Sequence, residues 1–402
     1  MKNIIRKIFE LNELTREVVK KYPKKRFLFN MVRELKSKHF KGIVGPRGSG
    51  KTVLLEQLSA HFKDSVYISM DTLEPDSNLF DIVKNLNLNY KIKNFFIDEI
   101  HFNRDYKKSL KNIFDFLDVN LFFSSSVSIS ILDSSYDLSR RIKFYYLYPF
   151  SLREYLFFKK DVLLEPLSLK DIVQNDNAEY LRYEYLFDNY LKGGNYPISL
   201  EETDITELLE NILKKIIFKD IASSSNLGFG ELHTMENLLK FIGKSRAEDM
   251  SYTNIAKNIG ISKYKAIKYL QLLEKSFVLN IIFPKGTNVL KEPKILMRVP
   301  YRLLYNDFEN AIGYIKEDFF ADMMKYADIE FYYLKTKRGK KTPDFLIKYK
   351  DEEFIIEIGG KSKGKKQFKG IEAKNKYVFA YPHSPEKKQK PLFLIGFIGQ
   401  KN

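Results

Sequence analysis

The sequence predicts an α/β fold built on a parallel sheet and extended by smaller helical and α/β modules, and three observations lead there. Between residues 40 and 150, short apolar runs of strand length alternate with stretches at helical spacing. The first of these runs, FKGIVG, leads through a glycine-rich loop into TVLLEQLSAHF, whose apolar residues recur with the 3.6 period of a helix. The chain has 402 residues, more than one core accommodates, since single cores stop growing near roughly 250 to 300 residues. Two or three domains are therefore expected.

The elements follow in order. Residues 1–40 read as a helical lead-in, with Ile4, Ile5, Ile8 and Phe9 as an apolar stripe and a break at Tyr22-Pro23. After FKGIVG, the runs VYISM (66–70), NFFID (94–98), NLFFSSS (120–126) and KFYYLYP (143–149) are each bounded by polar or turn residues and read as strands. Their alternation with helices implies a parallel sheet covered on both faces. From Ser151 to about Asp220 the pattern is helical, broken by Gly193, Gly194 and Pro197. It suits a small lid, so residues 41–225 are expected to be one core with its lid. Within 226–290, TNIAKNIG, a turn at Gly260, SKYKAIKYLQLLEKS and FVLNIIF give helix, helix and strand, the pattern of a winged helix. Ile255, Ala256, Ile259, Ile267 and Leu270 form its expected core, and Lys263, Lys265 and Lys268 project from its second helix. Residues 291–402 alternate a helix with the strands DFLI, EFIIEI, YVFAY and LFLIGFI, a separate small α/β domain.

Composition narrows the function. Hydrophobic residues are 44% and charged residues 30% of the chain, the balance of a folded globular protein. No apolar run approaches the roughly 18 to 20 residues of a membrane span, and the N-terminal stretch mixes charges at helical spacing, so no membrane association and a cytoplasmic address are expected. The absence of cysteine excludes a disulfide framework and thiolate metal sites. A formal charge of +17 favours a polyanionic partner, DNA above all. The charge is clustered: between Lys335 and Lys376 stand 14 Lys and Arg against 6 Asp and Glu.

The loop Gly45-Pro46-Arg47-Gly48-Ser49-Gly50-Lys51-Thr52 fits GxxxxGK[ST] completely and lies between a strand and a helix, the context a P-loop requires. Its glycines allow backbone N–H groups to face phosphate oxygens at a helix N-terminus. Lys51 is expected to reach the β and γ phosphates of ATP, and Thr52 to offer its hydroxyl to Mg²⁺. The strand NFFID adds a second acidic site: Asp98 for the Mg²⁺ shell and Glu99 to orient and deprotonate the attacking water. Ser124, Ser125 and Ser126 end the next strand where a hydroxyl can sense the γ-phosphate, with Ser125 as the representative candidate. Arg140 and Arg141 are candidates for an arginine finger toward a neighbouring copy. In each case a serine turn or a solvated surface arginine is the plainer alternative.

On GPRGSGKT, FFIDEIH, the serine-bearing strand, YLYPFSLREYL and the GGNYP turn, the chain resembles the AAA ATPases of bacteria and archaea in which a P-loop domain precedes a winged helix and a nuclease-like domain. That resemblance implies an AAA-type core, with Gly193 to Pro197 in its lid. The family's sensor strand often carries Thr-Gly-Ser; this chain has three serines instead. The last domain resembles the PD-(D/E)xK restriction-endonuclease fold, with Asp344 beginning one strand, Glu357 near the end of the next, Lys361 after it and Glu317 on the preceding helix. Two carboxylates holding a divalent metal and a lysine activating water are what that chemistry asks for. The usual motif sets the lysine two positions after the acid, where Gly359 stands; Lys361 is four positions on. Mg²⁺-dependent ATP hydrolysis on or near DNA is the resulting expectation, with homo-oligomers or a protein partner in view. The alternatives are a nucleotide-dependent switch or scaffold, and an ATP-regulated metal-dependent nuclease.

Overall fold

A computed structural model describes residues 1–34, 37–126, 138, 140–174, 177–245, 250–286, 292–334, 342–364, 368–369, 371–384 and 388–399. Part of the basic stretch between Lys335 and Lys376 lies outside them. The chain divides into two compact units, residues 1–149 with 223–225, and residues 150–222 with 226–402.

The first unit is a parallel sheet with helices on both faces. Its strands are β1 (Phe40–Val44), β2 (Ser65–Ser69), β3 (Asn94–Asp98), β4 (Asn120–Ser125) and β5 (Ile142–Tyr146), in spatial order β2-β3-β4-β1-β5 and all parallel. The helices are α1 (Lys2–Val18), α2 (Leu28–Val32), α3 (Lys51–His61), α4 (Leu79–Tyr90) and α5 (Tyr106–Phe116). Alternate strand residues supply two cores, as strand geometry requires. Val66, Ile68, Phe95, Ile97, Leu121 and Phe123 pack against α1, α4 and α5. Ile43, Tyr67, Phe96 and Phe122 pack against Leu54, Leu55 and Leu58 of α3 and against Phe29 and Val32 of α2. The strands are therefore apolar on both faces and read as unbroken apolar runs. β1 is pressed close to its neighbours: a Cβ on Gly42 would fall 2.8 Å from the rings of Phe123 and Phe144.

The second unit begins with α6 (Leu152–Lys160), whose N-cap Ser151 accepts the Glu154 N–H through its hydroxyl. α7 (Leu169–Gln174) and α8 (Thr206–Lys215) follow, then α9 (Phe229–Lys244), α10 (Tyr252–Ile259) and α11 (Lys263–Lys275), and an antiparallel ribbon of β6 (Leu279–Ile282) and β7 (Lys294–Met297). α10 ends at Gly260 in the left-handed region, φ 74°, and α11 starts from the Ser262 cap. α12 (Phe308–Tyr326) then leads into a mixed sheet of β8 (Glu330–Tyr333), β9 (Phe345–Tyr349), β10 (Glu352–Gly359), β11 (Asn375–Ala380) and β12 (Lys390–Pro391), ordered β12-β11-β10-β9-β8.

The boundaries read from the sequence differ from this division. One core joins Phe150, Leu152, Tyr155, Phe187 and Tyr190 to Phe319 of α12, Ile356 of β10 and the strip Leu392–Ile398, so the helical stretch read as a lid folds with the C-terminal sheet. The three helices before β6 are tied to the same unit: the buried Arg302 guanidinium holds Asp318 of α12 and donates to the carbonyls of Ile242 and Gly243. Local periodicity reports element type, and a core assembled from segments more than 100 residues apart leaves no local mark.

Candidate functional site

β1 ends in the loop that carries the glycines, and α3 begins at Lys51. Gly48 and Gly50 have φ of 77° and 89°, conformations that a side chain disfavours. Gly45 has no room for one either, since a Cβ would lie 2.1 Å from the Leu147 carbonyl oxygen. Arg26 braces the loop from outside, donating to the carbonyls of Ser49 and Tyr148. Lys51 is buried, and its Nζ donates to the carbonyls of Gly45 and Pro46 at 2.9 Å each. The loop is thus curled around its own lysine. Ser49 Oγ is buried inside it with no hydrogen-bond partner.

Strand order brings the acidic residues alongside. β4 lies between β1 and β3, so the ends of all three strands meet beside the loop. Asp98 closes β3, accepting from Thr52 Oγ1 at 2.7 Å and Tyr67 OH at 2.9 Å on one oxygen and from Ser124 Oγ on the other. Burial, and then the neighbouring Glu99 charge, push its carboxyl up from the usual range. Glu99 turns out of the strand with φ 48°, which directs its side chain back toward the loop. Its backbone N–H donates to Ser124 Oγ at 2.9 Å, and its Oε2 accepts from Ser126 N at 3.2 Å and faces His101 Nδ1 at 3.2 Å. Burial opposes ionisation of Glu99, but Lys51, His101 and Arg47 outweigh it and hold the carboxyl below its ordinary value. Glu99 is thus held ionised near a lysine, with one backbone N–H, that of Ser126, on its carboxylate.

The three serines separate by role. Ser124 is spent on Asp98 and the Glu99 backbone, Ser126 meets Glu99 through its N–H, and Ser125 Oγ lies 3.2 Å from His101 Nδ1. The residues immediately after Ser126 are outside the described set. Arg140 and Arg141 stand at the opposite end of the strands, just before β5 begins, so a strand of five residues, roughly 15 Å long, keeps them from this chain's own loop. Arg141 is forked onto Asp115, with Nε and Nη2 at 2.9 and 3.0 Å.

Sequence reasoning missed Arg26, Tyr67, His101 and Glu56. Glu56, on α3, is pushed up to about 7 by burial and by Asp98. Only His101 carried a signal, as the last residue of Asp-Glu-Ile-His. The others come from neighbouring elements whose adjacency depends on strand order.

The second cluster read from the sequence comes together only in part, and among the described residues no three His, Asp or Glu side chains are placed to hold a metal ion. Glu317 of α12, Asp344 before β9 and Glu357 of β10 meet around Lys294 of β7. Burial, together with Glu317 and Glu357, pushes Asp344 up to about 7 against the pull of Lys294. The lysine that meets Glu357 is Lys363, at 2.5 Å, while Lys361 is exposed. Gly359 explains the change: a Cβ there would fall 2.2 Å from Lys363 Cγ, so the stem of Lys363 occupies the space a side chain at 359 would fill. On α11, Lys263 pairs with Glu292 and Lys265 with Glu231, at 2.5 and 3.5 Å.

Residues 37–156 match the family described as an AAA domain. The parallel-sheet unit is similar to AAA domains. Residues 184–298 match a family described as a domain of unknown function. The uncharacterized protein MJ1637 of Methanocaldococcus jannaschii is 28% identical over 394 residues, spanning 87% of this chain and 83% of that one. Among solved structures, AMPPCP-bound DnaA from Aquifex aeolicus gives a TM-score of 0.27 at 18% identity, covering 66% of this chain and 88% of that one. The Aeropyrum pernix ORC1 protein in complex with DNA gives 0.30 at 13% identity, covering 78% and 94%. Scores this low carry no argument. No helix among the described residues is long and apolar enough to cross a membrane.

Proposed function

We propose that the first unit binds ATP with Mg²⁺ and hydrolyses it. The observation that carries this reading is the Thr52–Asp98 hydrogen bond of 2.7 Å, which joins the first hydroxyl of the P-loop helix to the acidic end of β3 with Glu99 one residue on. These residues fit the nucleotide and its metal: a curled loop of left-handed glycines, a lysine parked on carbonyls it can exchange for phosphate oxygens, and a hydroxyl and a carboxylate side by side. Bound Mg²⁺ neutralises charge on the transferred phosphoryl group. Lys51 turns from the loop carbonyls to the β and γ phosphates. Thr52 and Asp98 are the residues that would hold the metal. Glu99, ionised and fixed by Ser126 N–H and His101, orients the attacking water and takes its proton. Arg140 and Arg141 are read as acting on a neighbouring copy.

The second unit is read as a winged helix, α9 to β7, followed by a restriction-endonuclease-like sheet that engages DNA. Its support is the approach of Glu317 and Asp344 to Lys294 beside the Glu357–Lys363 pair, and the clustered basic charge of the C-terminal third. The test of both is steady-state ATP turnover by the full chain with Mg²⁺, alone and with single- or double-stranded DNA. Turnover is expected, with DNA affinity that falls steeply as salt rises. Stoichiometric ATP binding without turnover favours a nucleotide-dependent switch instead, and DNA binding indifferent to salt removes the basic stretch as the contact.

A further inference from the structure

Between Glu17 and Glu34 the chain carries six cations, Lys20, Lys21, Lys24, Lys25, Arg26 and Arg33, and no acid. They stand on and around the turn that joins α1 to α2 in the first unit. Lys20 is spent on Glu17, at 2.7 Å, and Arg26 on the carbonyls of Ser49 and Tyr148. Lys21, Lys25 and Arg33 reach solvent, and among the described residues none of the three meets a carboxylate. A run of surface cations is most often only a solvated face. Two features set this one apart.

The turn is pinned in place. Gln57 of α3 donates from Nε2 to the carbonyls of Tyr22 and Lys24, at 2.6 and 3.0 Å, and Arg26 ties the next turn to the phosphate loop. Lys25 is steadied as well, with its ammonium 4.1 Å over the Phe29 ring. A backbone already fixed loses little freedom when a ligand arrives. The second feature is an uncommitted ring. Tyr22, between Lys21 and Lys25 in the chain, is 37% exposed, and among the described residues its ring meets no other ring or cation and its hydroxyl no partner. Cations alone suit any polyanion. An exposed aromatic face between them adds a platform for a base, and only a single strand has bases free to stack on it, since those of a duplex are stacked on one another.

We propose that the turn between α1 and α2 is a seat for single-stranded nucleic acid: a base stacks on Tyr22 while Lys21 and Lys25 take phosphates on either side of it. The seat lies on the first unit beside the phosphate loop, so it goes beyond the DNA contact read for the second unit and does not depend on it.

The test is fluorescence anisotropy of a labelled oligo-dT strand, and of a duplex of the same length, titrated with the nucleotide-free full chain over a series of salt concentrations. Tyr22→Leu is expected to weaken strand binding about tenfold, with the salt slope and the duplex affinity unchanged, and Tyr22→Phe to bind the strand as the wild type does. Lys21→Gln with Lys25→Gln is expected to weaken strand binding and to flatten the slope by about 1.4, two phosphates at roughly 0.7 each. All of these side chains are exposed, so the variants are expected to fold. If neither Tyr22→Leu nor the lysine pair alters strand binding while duplex binding persists, the contact lies elsewhere and the seat is overturned. Tyr22→Leu without effect, beside a lysine pair that weakens strand, duplex and poly-glutamate alike, makes the turn a general surface for acidic partners and overturns it too. Absence of strand binding by the wild type at the lowest salt overturns it outright.

Discussion

Asp98 and Glu99 are adjacent in sequence and opposite in surroundings. Asp98 is surrounded by hydroxyl donors from three elements and pushed toward its neutral form by burial, while Glu99 faces Lys51 and His101 and is held ionised. In the proposed function the first has the role of metal ligand and the second that of base. Glu99→Gln keeps the hydrogen bond from Ser126 but cannot take a proton, so it is expected to retain ATP affinity while turnover falls by roughly 10² or more, the usual range for a lost general base. Lys51→Ala is expected to lose ATP affinity itself, because the ammonium that meets the phosphates is gone. Equilibrium binding of a fluorescent ATP analogue beside phosphate release separates the two; wild-type turnover in Glu99→Gln refutes the base. The motif residues were legible because each is fixed by local backbone: the loop by its glycines, Asp98 and Glu99 by the end of a strand. Tyr67 and Ser124 were not legible as Asp98 partners, because the pairing of β2 and β4 with β3 is not written in any local window.

Strand order also explains a buried lysine. β1 carries Lys41, whose ammonium donates to the Glu34 carbonyl and lies 4.8 Å over the Phe122 ring, with Lys143 on β5 beside it. Burial, reinforced by Lys143, lowers its pKa from 10.5 to about 8. Below pH 8 the folded protein carries the charged form it disfavours. Between about 8 and 10.5 the unfolded chain binds more protons than the folded one, so stability rises with pH across that window. Lys41→Met removes the group. Its urea midpoint at pH 7 is expected to exceed that of the wild type, and its rise between pH 8 and 10 to be shallower. Parallel pH profiles for the two proteins would show that Lys41 is not the source. In the sequence Lys41 reads as a polar residue at the start of an apolar run. That β5 sets Lys143 opposite it follows only from the parallel register.

The sequence pattern divides the chain after residue 225, and the cores divide it after residue 149. A change from strand alternation to helical spacing is visible locally, but which sheet those helices cover depends on contacts across the rest of the chain. Phe150, Leu152, Tyr155, Phe187 and Tyr190 bury their side chains with α12 and the strip Leu392–Ile398. A fragment ending at residue 225 keeps these side chains and removes what covers them, leaving a contiguous apolar surface of the kind that drives association. A fragment of residues 1–149 instead ends where the first unit's own cores are complete, because both faces of its sheet are covered by helices from within that stretch. The shorter fragment is therefore expected to remain monomeric and unfold in one cooperative step in urea. The longer one is expected to bind anilinonaphthalene sulfonate and elute as an aggregate on size exclusion. A soluble, cooperatively folding 1–225 fragment would mean that the helical stretch packs as a lid on the nucleotide-binding unit, as its sequence position alone implies.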